Sequence, residues 1–469
     1  MRIWKGSFAG GGPFMIMPVA LARRYRRLIF PYRTMFRPAG RRQVLCLPSS
    51  RRTRNLHPTK RNMFNSSPII VGLELGTSKV CAVVGQLSDG GVLNIIGLGQ
   101  SRSRAIRKGE IVNASDVAED IRNAIVEAEQ MADVEIRSVY LGVTGGHIRG
   151  FNNRGFHSVV SADREIAPED VHDVIKNAKA INLSAENRVV HVVRQHFSVD
   201  GQNGIADPVG MFGARLEVDV HVVHGQFTRL QNPIRAVKGV QIDVENIVFT
   251  GLASSLALLS NEQKELGALV IDIGGGTTEF IVYSAGTIKH TGVFAIGGDH
   301  ISNDLGYGLK VPLPMAEKLK IEHGSAAVDD SDKGVAIQLP CETGLPDRTL
   351  QVGHLRRIMS LRVEEILELV NEEIEGTGLR EYMRAGAFLC GGGARIPQID
   401  KVASRILGMP ASIGRTNSMS GLKSALDQPE FSTAIGLVKF GSFEQQKHLH
   451  RTGPLHALKS RFSQFFRVG

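Results

Sequence analysis

Apolar and polar positions along the chain repeat one pattern twice. Between Ile69 and Val84 (IIVGLELGTSKVCAVV) two apolar runs flank Gly76, Thr77 and Ser78, which predicts two strands joined by a tight turn. About 200 residues later Leu269, Val270, Ile271 and Ile273 read as one strand and Phe280, Ile281 and Val282 as its hairpin partner, around Gly274, Gly275 and Gly276. A third glycine turn, in Phe388 to Ile399 (FLCGGGARIPQI), follows a short apolar strand and leads toward a helix. Elsewhere the period is helical. Val117, Ile121, Ala124, Ile125, Ala128 and Met131 predict a helix over 115–131 behind Asn113 or Ser115 as cap, before a strand Ser138 to Val143. From about Gly145 to Gly225 the pattern changes to a short helix, Pro168 to Ala180, with strands that include Val189 to Phe197 and Arg215 to Val223. Downstream, helices are expected from Ile301 and over Pro314 to Gly324. A polar lobe from Tyr307 to Asn371 ends in an amphipathic helix, Leu355 to Ile374. The polar stretch after Phe440 (GSFEQQKHLHRTG) reads as a linker. The closing PLHALKSRFSQFFRVG reads as a helix with Leu455, Leu458, Phe462, Phe465 and Phe466 on one arc, Lys459 and Arg461 beside it and Arg467 on the polar face.

The central hairpins carry the chemistry. Successive glycine amides can point into one concavity that suits an anion. Asp272 precedes the second turn, where a carboxylate can hold the magnesium that accompanies a triphosphate through water, and Thr277 and Thr278 add hydroxyl donors. In the first hairpin Glu74, Gly76, Thr77 and Ser78 repeat that order, so two related halves are expected to close on one phosphate chain. No GxxxxGK[ST] segment occurs, which argues against a P-loop enzyme.

These motifs resemble the actin, DnaK chaperone and sugar kinase superfamily, and within it the bacterial cell-division FtsA family, over roughly residues 68–440. The resemblance implies an α/β, actin-like (ribonuclease H-like) two-domain ATPase fold with an inserted 1C subdomain, and ATP with Mg2+ as cofactors. It assigns Gly72 to Lys79 to a first phosphate loop, Asp272 to Thr278 to a second, Gly297, Gly298 and Asp299 to another phosphate-proximal turn, Glu317 and Lys320 to ribose and adenine contacts, and Gly391, Gly392, Gly393 and Ala394 to an adenosine loop. Asp272 and Glu74 become the catalytic and magnesium-binding acids; the family has Asp in the first loop where this chain has Glu74. Thr250 to Ser255 and Phe431 to Leu437 match its two interdomain connecting helices. The implied division is subdomain 1A over 68–144 and 226–296, 1C over 145–225, 2A and 2B over 297–430, a connecting helix over 431–440, a linker over 441–453 and a membrane helix over 454–469. The implied function is polymerisation on the inner membrane face at midcell, tethering the C-terminal tail of FtsZ through 2B, with at most slow ATP hydrolysis and later division proteins as further partners. A C-terminal amphipathic helix with basic flanks suits an anionic lipid surface, which a soluble kinase does not need. A sugar kinase or phosphatase of the superfamily would need an aspartate base beside a small-molecule pocket, and none is assignable. Pilus-assembly actin relatives share the inserted subdomain and are the nearest structural competitor.

Composition changes this picture at one end only. The 469 residues are 42% hydrophobic and 22% charged, enough for two large domains, with a formal charge of +10. Residues 1–62 hold 15 Lys or Arg and no acid, leaving 41 against 46, a net of −5, for the remainder. A transit peptide, a basic arm and a disordered tail share the composition of that end. Met63 lies where members of the family tend to begin, so residues 1–67 are expected to be a disordered extension or the product of an upstream start codon, and no nucleic-acid partner is expected. No run of 18 apolar residues predicts a membrane span. Cys46, Cys81, Cys341 and Cys390 are scattered, as in a reducing cytoplasm. His191 and His196, five apart on a strand, fall on opposite faces and with His221 and His224 make a poor metal set.

Overall fold

The computed structural model describes residues 68–452 apart from 89–90, 162, 340–347, 417–419 and 423–426. The basic N-terminal segment and the amphipathic segment from Leu455 to Phe466 lie outside the described residues.

Two sheets and two central helices organise the rest. The first sheet has the order β11-β6-β1-β2-β3-β19, built from β1 (Ile69–Leu75), β2 (Lys79–Leu87), β3 (Leu93–Arg102), β6 (Ser138–Val143), β11 (Asp243–Phe249) and β19 (Ser420–Gly421). The second has the order β14-β13-β12-β17-β18, from β12 (Ala268–Ile273), β13 (Thr278–Ser284), β14 (Thr287–Phe294), β17 (Ala387–Cys390) and β18 (Ala411–Ile413). Every residue of β12 is buried, because successive side chains feed different cores. Ala268 and Val270 join the core that contains helix α4 (Thr250–Leu258). Leu269, Ile271 and Ile273 join the core formed with α6 (Gly298–Leu309), α7 (Leu313–His323), α8 (Val352–Thr377) and α9 (Ile399–Leu407). A strand covered on both faces has to be almost continuously apolar, which is how β12 reads apart from Asp272.

Several expected boundaries move. The β12 to β14 strands belong to the second sheet, so the expected assignment of 226–296 to the first subdomain ends at α5 (Asn261–Leu266). The chain returns to the first sheet at β19, which pairs with β3, so the expected block 297–430 also spans both sheets. The expected linker over 441–453 is helical through Thr452: the connecting helix α10 (Ser432–Thr452) continues past Phe440, and Gly441 and Ser442 are buried. Its polar composition signalled a linker, but Gly441 lets it pass over Ile70 and Tyr140 where any Cβ would collide. Helix α1 (Ala114–Ala132) is capped by Asn113, whose Oδ1 accepts from the Ser115 and Asp116 amides, and Met131, counted on its apolar face, is about half exposed.

The inserted segment forms its own antiparallel sheet, β7-β10-β8-β9, from β7 (Arg149–Ser158), β8 (Asn187–Val199), β9 (Gln202–Ile205) and β10 (Arg215–Gln226), backed by α2 (Pro168–Lys179) and followed by helix α3 (Phe227–Gly239). It is tied to β14 of the second sheet: His221 Nε2 lies 2.9 Å from Thr291 Oγ1, Asn152 Nδ2 donates to the Lys289 carbonyl, and Lys289 Nζ donates to Gln195 Oε1.

Glycines set how close α10 can come. A Cβ on Gly436 would lie 1.8 Å from the Ala253 carbonyl oxygen of α4, and one on Gly72 would lie 2.5 Å from the Ala434 oxygen. Gly436→Ala is therefore expected to destabilise the protein by about 1–3 kcal/mol. Gly376→Ala, in helix α8 with nothing within 4 Å of its Cβ position, should be neutral or stabilise by up to about 1 kcal/mol. Urea denaturation midpoints of the two variants check this, and an undiminished midpoint for Gly436→Ala would contradict the packing.

Candidate nucleotide site

The two hairpin turns meet between the sheets. The Gly76 amide donates to the Lys79 carbonyl at 3.0 Å and the Gly274 amide to the Thr277 carbonyl at 2.8 Å, the same bond at the same spacing in each turn. Gly275 and Gly276 lie across from the first turn: a Cβ on Gly275 would be 3.3 Å from Ser78 Cβ, and one on Gly276 would be 2.6 Å from Thr77 Oγ1 and 2.7 Å from the Lys108 amide. Any larger residue would push the two turns apart. The third turn closes on the second, with the Gly298 amide donating to the Gly274 carbonyl and the Asp299 amide to the Gly275 carbonyl, at 2.9 and 2.7 Å.

Three acids lie beneath these turns. Asp272 is buried at the end of β12, and its Oδ2 accepts from Ser254 Oγ of α4 at 2.5 Å and Thr433 Oγ1 of α10 at 2.8 Å. Glu74, in β1, has its Oε2 buried without a hydrogen-bond partner. Burial pushes its pKa up to about 7 against the opposing pull of Lys79, with Asp272 adding to the rise. Glu279, which the sequence reading passed over, is buried in β13 and accepts from Thr144 Oγ1. Burial and then the Asp272 charge push its pKa up to about 8, with Thr144 and Thr277 opposing.

Cations surround the turns. Lys79 Nζ is buried without a hydrogen-bond partner, 3.7 Å from the centre of the Phe431 ring. Lys320 Nζ donates to Glu317 Oε2 at 2.7 Å and to the Gly298 carbonyl at 3.2 Å, so this pair sits against the third turn. Arg107 and Lys108 were also passed over. They belong to a small hairpin between β4 (Ile106–Arg107) and β5 (Glu110–Ile111), where Lys108 and Gly109 both have positive φ and the Gly109 amide donates to Thr77 Oγ1. Burial raises the Asp299 carboxyl, with Lys320 and, more weakly, Arg107 pulling it down; burial lowers His300, and Lys108 adds to that. The signal was a Lys-Gly turn flanked by Ile106 and Ile111, readable as a hairpin.

Other expected site residues serve the fold. Thr278 is fully buried, and its hydroxyl donates to the Ile296 carbonyl, so it is not a donor to the cleft. In the third glycine run, Gly391 has φ +80 and a Cβ there would lie 2.3 Å from Asp272 Oδ1, while Gly393 packs on Ile273; Gly392 alone of the three faces open space. Ala394 is a core residue. The four histidines have separate surroundings: His191 Nε2 accepts from the Phe249 amide, His221 is held by Asn152 and Thr291, His224 packs edge-on against Phe151, and His196 is further along β8.

Comparison with known proteins agrees with this architecture. The family described as "Cell division protein FtsA" matches residues 269–436, and the "SHS2 domain inserted in FTSA" matches residues 145–224. The cell division protein FtsA of Pseudomonas aeruginosa is 36% identical over 380 residues, covering 81% of this chain and 91% of the relative. That of Escherichia coli K12 is 36% identical over 389 residues, with the same coverage. That of Neisseria meningitidis serogroup B is 39% identical over 370 residues, covering 78% and 88%. Among solved structures, the PilM-PilN type IV pilus biogenesis complex aligns with a TM-score of 0.56 at 14% identity, covering 80% of this chain and 98% of that one. MreB5 of Spiroplasma citri bound to ADP aligns with 0.52 at 16%, covering 83% and 100%. At those identities the likeness is one of fold, and the fold is actin-like.

The carboxyl pair generates a pH prediction. Glu74 and Glu279 bind their protons more tightly folded than unfolded, where a glutamate titrates near about 4.3. Above that pH the unfolded chain has already released protons that the folded protein keeps, so stability falls as pH rises through about 7 and 8. Without divalent cation the loss is expected from pH about 5 up to about 7 for Glu74 and about 8 for Glu279, on the order of 1 kcal/mol per pH unit for each carboxyl. Glu74→Gln and Glu279→Gln should each flatten it. Urea midpoints measured across that range in EDTA check the slopes; identical slopes in wild type and both variants would rule this out.

Proposed function

Because the chain belongs to the FtsA family of cell-division proteins, we propose that it binds ATP with magnesium in this cleft, polymerises on the inner face of the membrane and tethers FtsZ filaments at the division septum. The observation that carries the nucleotide part is the pair of facing turns from different sheets, with acids below and cations around them.

The residues fit a magnesium nucleotide. Glu74 Oε2 and Lys79 Nζ are buried polar atoms lacking a partner, one of each sign, beside two turns closed tightly enough to exclude a Cβ. Asp272 and Glu74 would hold the metal through water, Lys79 would meet phosphate charge, Glu317 and Lys320 the ribose and adenine, and Gly392 would be the open wall against the nucleoside. Magnesium, when bound, would neutralise phosphate charge in a site of low dielectric. Binding would couple to shape because Asp272 already holds both connecting helices.

The partner surfaces follow the same division. The lobe of α7, α8 and the β15 (Ala336–Leu339) to β16 (Arg348–Gln351) hairpin would receive the FtsZ tail, and Tyr307, Leu313 and Ile321 are exposed apolar groups there or beside it. The inserted segment, with Val160 and Phe212 exposed in its loops, would supply polymer contacts and a surface for later division proteins. No helix of the described residues is long and apolar enough to cross a membrane. Attachment is assigned to Leu455, Leu458, Lys459, Arg461, Phe462, Phe465 and Phe466 as a surface-lying helix.

Two measurements test this reading. Asp272→Ala should abolish magnesium-dependent ATP binding in equilibrium dialysis, whereas Glu74→Asp should retain it; wild-type affinity in Asp272→Ala would move the metal elsewhere. Phe462→Glu places a charge at the centre of the apolar arc. It should release the protein from anionic liposomes without loss of ATP binding, while Arg467→Ala should weaken attachment by only about 1 kcal/mol. Flotation of Phe462→Glu equal to wild type would exclude this helix as the anchor.

A further inference from the structure

The short helical turn Pro429–Phe431 stands between two parts of the proposed nucleotide site. On one side it is held by the third glycine run: the Gly391 amide donates to the Pro429 carbonyl at 3.0 Å, and Arg395 Nη1 donates to Glu430 Oε1 at 2.5 Å. On the other side the buried ring of Phe431 meets Lys79, whose Nζ stands 3.7 Å from the ring centre. Lys79 opens β2 at the foot of the first hairpin turn, where its carbonyl accepts from the Gly76 amide. Three residues of backbone thus join a loop of the second sheet to a cation of the first.

Acids lie near this lysine, but neither Glu74 nor Glu430 bonds to it. Lys79 Nζ, Glu74 Oε2 and Glu430 Oε2 are all buried without a hydrogen-bond partner among the described residues. All three charges bear on the Cys81 thiol: burial raises it to about 12, Lys79 opposes, and Glu74, Glu127 and Glu430 add to the rise. A carboxylate bonded to the ammonium would neutralise it, and that bond would have to break before a phosphate could take the lysine. A ring face does not neutralise the cation. It attracts the ammonium through its quadrupole, more strongly where water is excluded, but less strongly than a charge-assisted hydrogen bond from an arriving anion.

We propose that Phe431 is a positioning residue for Lys79: its ring seats the ammonium at the first turn, clear of the carboxylates, until a phosphate takes it, and the Gly391–Arg395 run sets where that ring stands. This rests on the nucleotide reading above and adds to it a link between the loop that faces the nucleoside and the cation that meets the phosphates. A nucleoside that displaced Gly391 or Arg395 would displace Phe431, and with it the seat of the ammonium.

A double-mutant cycle on the full chain, read by equilibrium dialysis of magnesium ATP, tests this role. Phe431→Leu keeps an apolar side chain and removes the ring; it is expected to weaken ATP binding at least about tenfold when Lys79 is present and by less than about twofold beside Lys79→Met. Arg395→Gln changes an exposed side chain, so it leaves the core intact. It is expected to weaken binding about threefold, again only when Lys79 is present. A ring that served packing alone, or an arginine that touched the nucleoside directly, would cost the same in both backgrounds. The cycle is repeated on urea midpoints without nucleotide, which decides the matter where Lys79→Met binds too little ATP to measure. There the Phe431→Leu, Lys79→Met double variant is expected to be less destabilised than the sum of the two single variants. If Phe431→Leu does not fold, the Arg395→Gln pair decides. Equal losses in both backgrounds would overturn the role of Phe431 and leave the nucleotide site standing, whereas no ATP binding by the wild-type protein would overturn both.

Discussion

The two hydroxyl bonds to Asp272 Oδ2 are the contact on which the rest of the architecture turns. The carboxylate ends the central strand of the second sheet, and the hydroxyls come from the two helices, α4 and α10, that pass between the sheets. Hydrogen bonds to a charged group are stronger than neutral ones, about 1.5–3 kcal/mol each, and here they are buried, so water does not compete. The same acid is therefore a structural clasp and the proposed metal holder. A ligand that drew on its other oxygen would act on both helices at once.

Around that clasp the charges are largely layered, although Lys320 is paired with Glu317. Glu74 and Glu279 crowd Asp272 so closely that burial and mutual repulsion favour their protonated forms. Lys79, Lys108, Arg107 and Lys320 lie on the other side of the glycine turns or along their rim. An arrangement with unsatisfied acid and base separated by backbone amides is poorly balanced by itself, and the polyanion and divalent cation proposed for it would supply the missing balance.

Much of this was legible because it is local. Glycine turns between apolar runs announce hairpins, and the repetition of acid, glycine and hydroxyl at Glu74 and Asp272 announced that the hairpins are related. What sequence could not show depends on packing partners distant in the chain. Thr278 looks like a donor until the Ile296 carbonyl is seen beside it, and Gly391 and Gly393 look like a ligand loop until Asp272 and Ile273 fill the space next to them. Glu279 was hidden because it sits in an apolar strand where an alternating reading treats it as an outward residue. Strand β13 is covered on both faces, so it has no outward side. The boundary errors have the same origin: β12 follows α5 in sequence, but its hydrogen-bond partners are β13 and β17.

The continuity of α10 changes how the halves of the molecule can act on each other. Its first turn holds Thr433 against Asp272, its next turns are wedged between Ala253 and Gly72, and its later part lies over Ile70 and Tyr140. The helix has 21 residues, about 30 Å at 1.5 Å per residue, and two stations along it admit only glycine at the contact. A segment held that closely transmits displacement rather than absorbing it. A shift at the carboxylate clasp of the tenths of an ångström that close packing resists would therefore be felt at Thr452, immediately before the chain assigned to the membrane, without any further moving part.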